Sequence, residues 1–194
     1  MGSSKKITPR RLIVYLFALA LLLLAKPHPV LYPVGVALIA AGEALRLWAC
    51  GHLRKNQDVI MSGPFAYLKN PLYAGTLLIV SGFCFAASNP DEPSRWLLYV
   101  GLPLFLAVFF FYYFPYKVGV EGDRLRRRFG EKFDVYDKNV PNLVPRLTPY
   151  RPDGGGELLP WDSKLLTENS EYGTLIWVVL GCLILFAKFY IELW

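Results

Sequence analysis

Ser62-Gly63-Pro64-Phe65-Ala66-Tyr67-Leu68-Lys69-Asn70-Pro71-Leu72-Tyr73-Ala74-Gly75 joins a turn-rich polar stretch to an apolar run that continues to about residue 88. Pro71 suits the first turn of a helix, because the amide hydrogen it lacks has no partner there and its fixed dihedral starts the coil. Asn70 before it is a candidate N-cap. Further apolar runs lie at about 12–25, 30–50, 96–116 and 173–192, each near the roughly 20 residues that cross a bilayer. The first is the shortest, and Lys26-Pro27-His28-Pro29 turns it sharply into the second. The expected fold is therefore all-α, a polytopic membrane protein with five transmembrane helices and a cytosolic amphipathic helical segment.

Composition points the same way. With 54% hydrophobic and 15% aromatic residues among 194 and a mean hydropathy of +0.34, the chain is too apolar for a water-soluble domain of this length. A single membrane domain over residues 1–194 is expected. Cys50, Cys84 and Cys182 fall singly in or beside apolar runs, without CxxC spacing, and read as packing residues. His28 and His52 are far apart and lack neighbouring ligands, so no metal site is expected. The opening Met1-Gly2-Ser3-Ser4 has no cleavage pattern, so the first apolar run is expected to stay as an anchor.

The net charge of +6 raises the question of nucleic acid, yet the basic residues sit beside the spans, where they orient the chain and meet anionic headgroups. No nucleic-acid partner is expected. Lys5, Lys6, Arg10 and Arg11, then Arg54, Lys55 and Lys69, then ten Lys and Arg from Lys117 to Lys164 share one side, against Lys26 and Arg95 in the opposite loops. The N-terminus and the segment from Lys117 to Tyr172 are thus expected in the cytoplasm.

Leu125, Phe129, Phe133, Tyr136 and Val140 recur at helical spacing and make an amphipathic stripe, which Gly130 interrupts with a kink or a break into two shorter helices. The stripe docks on the membrane domain or lies at the interface. From Val144 to Leu159, prolines and Asp153-Gly154-Gly155-Gly156 read as irregular connection. The glycines lack the Gly-Lys-Ser/Thr of a phosphate loop.

Several residues carry candidate chemistry. Asn70-Pro71 either caps a helix and nothing more, or the exposed amides of the helix start it opens face a carboxylate ligand at the positive end of the helix dipole. Tyr73 lies in that first turn, and Gly75 permits close approach of a helix or a ligand. Glu121, with Lys117 at i−4 and Arg124 at i+3, forms a surface ion pair or holds a ligand's cation while Lys117 or Arg124 anchors an anionic substrate. Glu43 and Arg46 are spaced to meet on one face inside a span, where ionisable groups are functional suspects. Phe109-Phe110-Phe111-Tyr112-Tyr113-Phe114 faces lipid, packs helices, or walls a tunnel for an isoprenoid or acyl tail.

Ser62-Gly63, Lys69-Asn70-Pro71-Leu72-Tyr73-Ala74-Gly75, Glu121, Phe129-Gly130-Glu131-Lys132-Phe133-Asp134-Val135-Tyr136 and Val140-Pro141, in that order, resemble the isoprenylcysteine carboxyl methyltransferase family. The likeness covers roughly residues 46–146, leaving a linker over 147–172 and an additional C-terminal span over 173–192. It implies an integral membrane methyltransferase that uses S-adenosylmethionine and releases S-adenosylhomocysteine. By this resemblance Gln57, Asp58, Val59, Ile60, Phe65, Asn70, Pro71, Leu72, Tyr73 and Glu121 bind the cofactor, and Lys117 stands on the substrate side; with Arg124 as the other possible substrate anchor beside Glu121, Lys117 and Arg124 are the candidate catalytic residues. The family signature is Arg-His-Pro-x-Tyr-x-Gly followed by a Glu-Glu pair. Here Lys69, Asn70 and Gly122 stand in for the arginine, the histidine and the second glutamate.

The function expected from the resemblance is methyl transfer to a lipophilic acceptor, a carboxylate of a prenylated or isoprenoid-like substrate, with membrane lipids as surroundings and the cofactor entering from the cytosol. Phospholipid amine N-methylation and a non-catalytic scaffold binding anionic lipid are the alternatives. A carboxylate acceptor is ionised at neutral pH, so such a site needs mainly to align and desolvate it.

Overall fold

The computed structural model describes residues 18–55, 57–152 and 159–193, and every regular element among them is helical. After a helical stretch at 18–24 come α1 (Leu31–Cys50), α2 (Pro71–Ala87), the long α3 (Leu97–Phe129), α4 (Glu131–Asn139), the short α5 (Lys164–Glu168) and α6 (Glu171–Leu193). The chain is an integral membrane protein, and among the described residues three helices, not five, are long and apolar enough to cross a bilayer: α1, α3 and α6. The expected third span is α2, whose 17 residues rise only about 25 Å against a hydrocarbon core of about 30 Å. Of the expected first span, 12–25, residues 12–17 lie outside the described residues, and 18–24 are helical but short.

Glycine builds the centre of the bundle. A Cβ on Gly35 would come within 2.5 Å of the Gly82 carbonyl oxygen, and one on Gly42 within 2.6 Å of the Gly75 oxygen. Both pairs are seven residues apart on antiparallel α1 and α2, so the two backbones touch twice. Close approach of this kind replaces the hydrophobic drive that lipid cannot supply. Around it pack Leu21, Ala25, Cys84, Leu97, Leu102 and Leu185 at one end and Ile39, Ile79 and Val178 at mid-height.

Two wide turns, Leu97–Gly101 and Phe109–Tyr113, interrupt the α-helical hydrogen bonding of α3 with bonds five residues long. Each precedes a proline, Pro103 or Pro115, whose ring would strike the carbonyl four residues back, at Tyr99 or Phe111. Widening the helix there relieves the clash and bypasses the missing donor. Below Pro115 the helix continues as a charged segment to Phe129. At Gly130, with φ 53° and ψ −131°, the chain turns into α4, so the amphipathic stripe is split between two helices. Leu125, Phe129, Phe133, Tyr136 and Val140 still form one apolar cluster, closed by Val59, Met61 and Tyr150.

Candidate functional site

The end of the bundle where α1 finishes and α2 begins carries a cavity of about 460 Å³. Its walls are the turn after α1, the start of α2, the charged half of α3, and α4. The cluster around Phe133 and Tyr136 presses α4 onto this opening. The Tyr136 hydroxyl donates to the Phe65 carbonyl at 2.8 Å, and burial raises the Tyr136 phenol above its ordinary range. Two ion pairs tie α4 across the cavity: Lys69 to Asp137, and Lys132 to both oxygens of Asp58 at 2.6 and 2.7 Å.

Of the residues singled out in the sequence, Asp58, Val59, Ile60, Phe65, Asn70, Pro71, Leu72, Tyr73, Glu121 and Arg124 line this one cavity. Gln57 does not line it and is exposed. Lys117 does not line it either: it sits half-buried one turn above Glu121 on α3.

Asn70 stands at the N-cap position of α2, but its side chain makes no capping bond. Its amide nitrogen reaches the Asn142 carbonyl and side-chain oxygens at 3.4 and 3.3 Å, while its backbone amide donates to Asn142 O. The amides of Tyr73 and Ala74 both donate to the Asn70 carbonyl. Those donors, expected to face a carboxylate, are therefore already engaged.

Glu121 departs from expectation in its partner. Among the described residues no ion pair joins it to Lys117 or Arg124, and its Oε1 accepts the Tyr73 hydroxyl at 3.0 Å. The Tyr73 ring stands edge-on to Phe109, Tyr113 and Phe114, with centroids 6.4, 6.0 and 5.9 Å away. Part of the aromatic tract thus fixes Tyr73, which in turn aims its hydroxyl at the carboxylate. Asp58 and Asp137 have lysine partners, so Glu121 is the cavity carboxylate without a cation among the described residues. Arg54, Lys55 and Arg124 line the same space, and none of them forms an ion pair among the described residues. Among those residues the site therefore holds one acid without a cationic partner, bonded to a tyrosine in an aromatic cluster, and three cations without an acidic one.

The polar contacts behind the cavity were not legible from local spacing. Arg46 does not pair with Glu43. Its Nε and Nη2 donate to the two oxygens of Glu171 on α6 at 2.7 Å each, and Nη1 reaches Thr76 Oγ1 at 2.8 Å and Leu72 O at 3.4 Å. Glu171 also accepts from the Cys50 thiol at 3.3 Å. No group of three or more His, Cys, Asp and Glu is placed to hold a metal ion among the described residues.

Comparison with known proteins changes the reading. No protein-family model matches the chain, and no solved structure matches it. The chain is 27% identical over 125 residues to the cobalt-zinc-cadmium resistance protein CzcN of Cupriavidus metallidurans, covering 63% of this chain and 53% of that protein. It is 26% identical over 123 residues to the nickel-cobalt-cadmium resistance protein NccN of Alcaligenes xylosoxydans xylosoxydans, covering 62% and 53%. The chain thus spans about half the length of the curated relatives it matches. The isoprenylcysteine methyltransferase identification is overturned by these relatives, and with it go lipid-directed methylation and the two alternatives beside it. Three residues of the motif have packing tasks here: Pro71 starts α2, Gly75 meets Gly42, and Asn70 holds Asn142.

Proposed function

We propose that this integral membrane protein serves in resistance to transition-metal cations, and that its cavity opens to the cytoplasm and binds a small organic zwitterion rather than the metal. Two relatives named for resistance to cobalt, cadmium and other divalent metals support the first part. The basic residues around the cavity end, Arg54, Lys55, Lys69 and Arg124, support its cytoplasmic placement. The observation that carries the ligand class is Glu121, without a cationic partner among the described residues, bonded to the Tyr73 hydroxyl beside an aromatic cluster, in a cavity that Arg54, Lys55 and Arg124 also line.

The ligand proposed is S-adenosylmethionine, which supplies an activated methyl group when bound. Its sulfonium and ammonium suit Glu121 and the aromatic rings, its carboxylate suits Arg54, Lys55 or Arg124, and a cavity of about 460 Å³ is within the usual range for such ligands. Enzymatic use of the ligand belongs to the same proposal: the sulfonium–methyl bond would break as a nucleophilic acceptor takes the methyl group, and release of S-adenosylhomocysteine would report it.

Calorimetry on the purified protein in lipid nanodiscs tests the ligand. We expect saturable binding of S-adenosylmethionine, weakened about tenfold or more in Glu121→Gln, the loss of one charge-assisted contact. The absence of saturable binding, or a Glu121→Gln variant that binds like wild type, overturns it. Deleting the gene in its host and titrating cadmium and cobalt tests the physiological part, which fails if growth is unchanged.

A further inference from the structure

Glu43 sits mid-way along α1, with 7% of its surface exposed and both carboxyl oxygens buried without a hydrogen-bond partner. The cation nearby among the described residues directs its hydrogen bonds elsewhere. Arg46 spends its Nε and Nη2 on Glu171 and its Nη1 on Thr76 and Leu72. The remaining ionisable groups facing Glu43 are Glu171 itself, Cys182 of α6, which lies within its electrostatic reach, and Cys50 beyond Arg46. From α2 the nearest side are Gly75, Leu78 and Ile79, around Gly42, and they offer no charge. An ionised carboxylate in such a place costs far more than a neutral one, because nothing repays its lost hydration.

We propose that Glu43, Arg46 and Glu171 form an intramembrane proton-binding site: one guanidinium between two carboxyls, with Glu171 ionised and Glu43 carrying the proton. The bound species is a proton and not a metal ion. No metal-holding cluster exists among the described residues, and the α1–α2 contact beside Glu43 is so close that a Cβ added to Gly42 would lie 2.6 Å from the Gly75 oxygen. Removing Glu171 frees Arg46, which is three residues from Glu43 on the same helix and turns to it. The Glu43 O–H bond then breaks, its electron pair stays on the carboxylate facing Arg46, and the proton leaves to water.

Infrared spectroscopy of the full chain in nanodiscs in deuterated buffer reads this without needing a reagent to reach the site. At neutral pH wild type should show the carbonyl stretch of a protonated carboxyl above the amide I envelope. Glu43→Gln should lose that band, and Glu43→Asp should keep it at a shifted position. Glu171→Gln should lose most of it, although its own substitution leaves Glu43 in place. The proposal is overturned if wild type shows no such band, if the band survives Glu43→Gln, or if Glu171→Gln leaves it unchanged. Size-exclusion profiles matching wild type show that each variant is folded, and Glu43→Asp serves where Glu43→Gln does not assemble.

Discussion

Gly42→Ala and Gly119→Ala make the same chemical change on two helices and should move stability in opposite directions. A methyl on Gly42 would lie 2.6 Å from the Gly75 oxygen, 2.8 Å from Ile79 Cγ1 and 2.9 Å from Leu78 Cβ, whereas nothing lies within 4 Å of one on Gly119. The first of these neighbours is backbone, so it yields only if α1 and α2 part, loosening the Gly35–Gly82 contact as well. Overpacking of this kind costs about 1–3 kcal/mol. Both variants gain helix propensity, worth about 1 kcal/mol, and that gain cancels when they are compared with each other. Reversible unfolding in mixed detergent micelles, followed by tryptophan fluorescence, should therefore place Gly119→Ala at or above wild type and Gly42→Ala about 1–3 kcal/mol below Gly119→Ala. If the two variants differ by less than about 0.5 kcal/mol, the size of an ordinary surface substitution, the glycine contact does not hold the bundle together.

Two further outcomes follow from the polar end of the bundle. His52 is buried beside Ser62 and Gly63, and burial first, then the nearby Arg54, lowers its pKa against the opposing effect of a hydrogen bond with the Leu159 backbone. Its neutral form is the one the fold accepts, so its contribution is intact above the unfolded value of about 6.5 and is lost as pH falls below that value, where the unfolded chain binds the proton first. Thermal unfolding from neutral to mildly acidic pH should show this loss in wild type and a flatter profile in His52→Gln; equal slopes would remove His52 as the cause. Gly130 takes φ 53° and ψ −131°, a backbone region costing other residues about 1–3 kcal/mol. Gly130→Ala should loosen α4 and speed tryptic cleavage at Arg126, Arg127 and Arg128, with unchanged cleavage counting against a strained corner.

What could be read from the residues alone divides along physical lines. Long uncharged runs revealed α1, α3 and α6, because hydrophobic length is a local property. The same criterion stopped α3 at residue 116, where charges begin, while the helix runs on to Phe129. Backbone hydrogen bonding continues through a charged segment once a helix is under way. The break at Gly130 was legible from one residue. The two glycine pairs carried a visible signal, Gly35 and Gly42 against Gly75 and Gly82 at equal spacing, but it gains meaning only when antiparallel helices are set side by side.

Arg46 shows why the remainder was out of reach. Its spacing from Glu43 is favourable on an isolated helix, a contact worth a few tenths of a kcal/mol. Glu171 stands 125 residues away in sequence yet wins. It meets the guanidinium through two parallel bonds, the strongest geometry open to this pair. It also opens α6, where the amide ends of the helix favour a negative charge. Both advantages exist only after α6 has packed against α1, and the packing leaves Glu43 enclosed with no donor. Local spacing identified a carboxyl that can reach Arg46, but the assembled bundle decides which carboxyl the guanidinium holds.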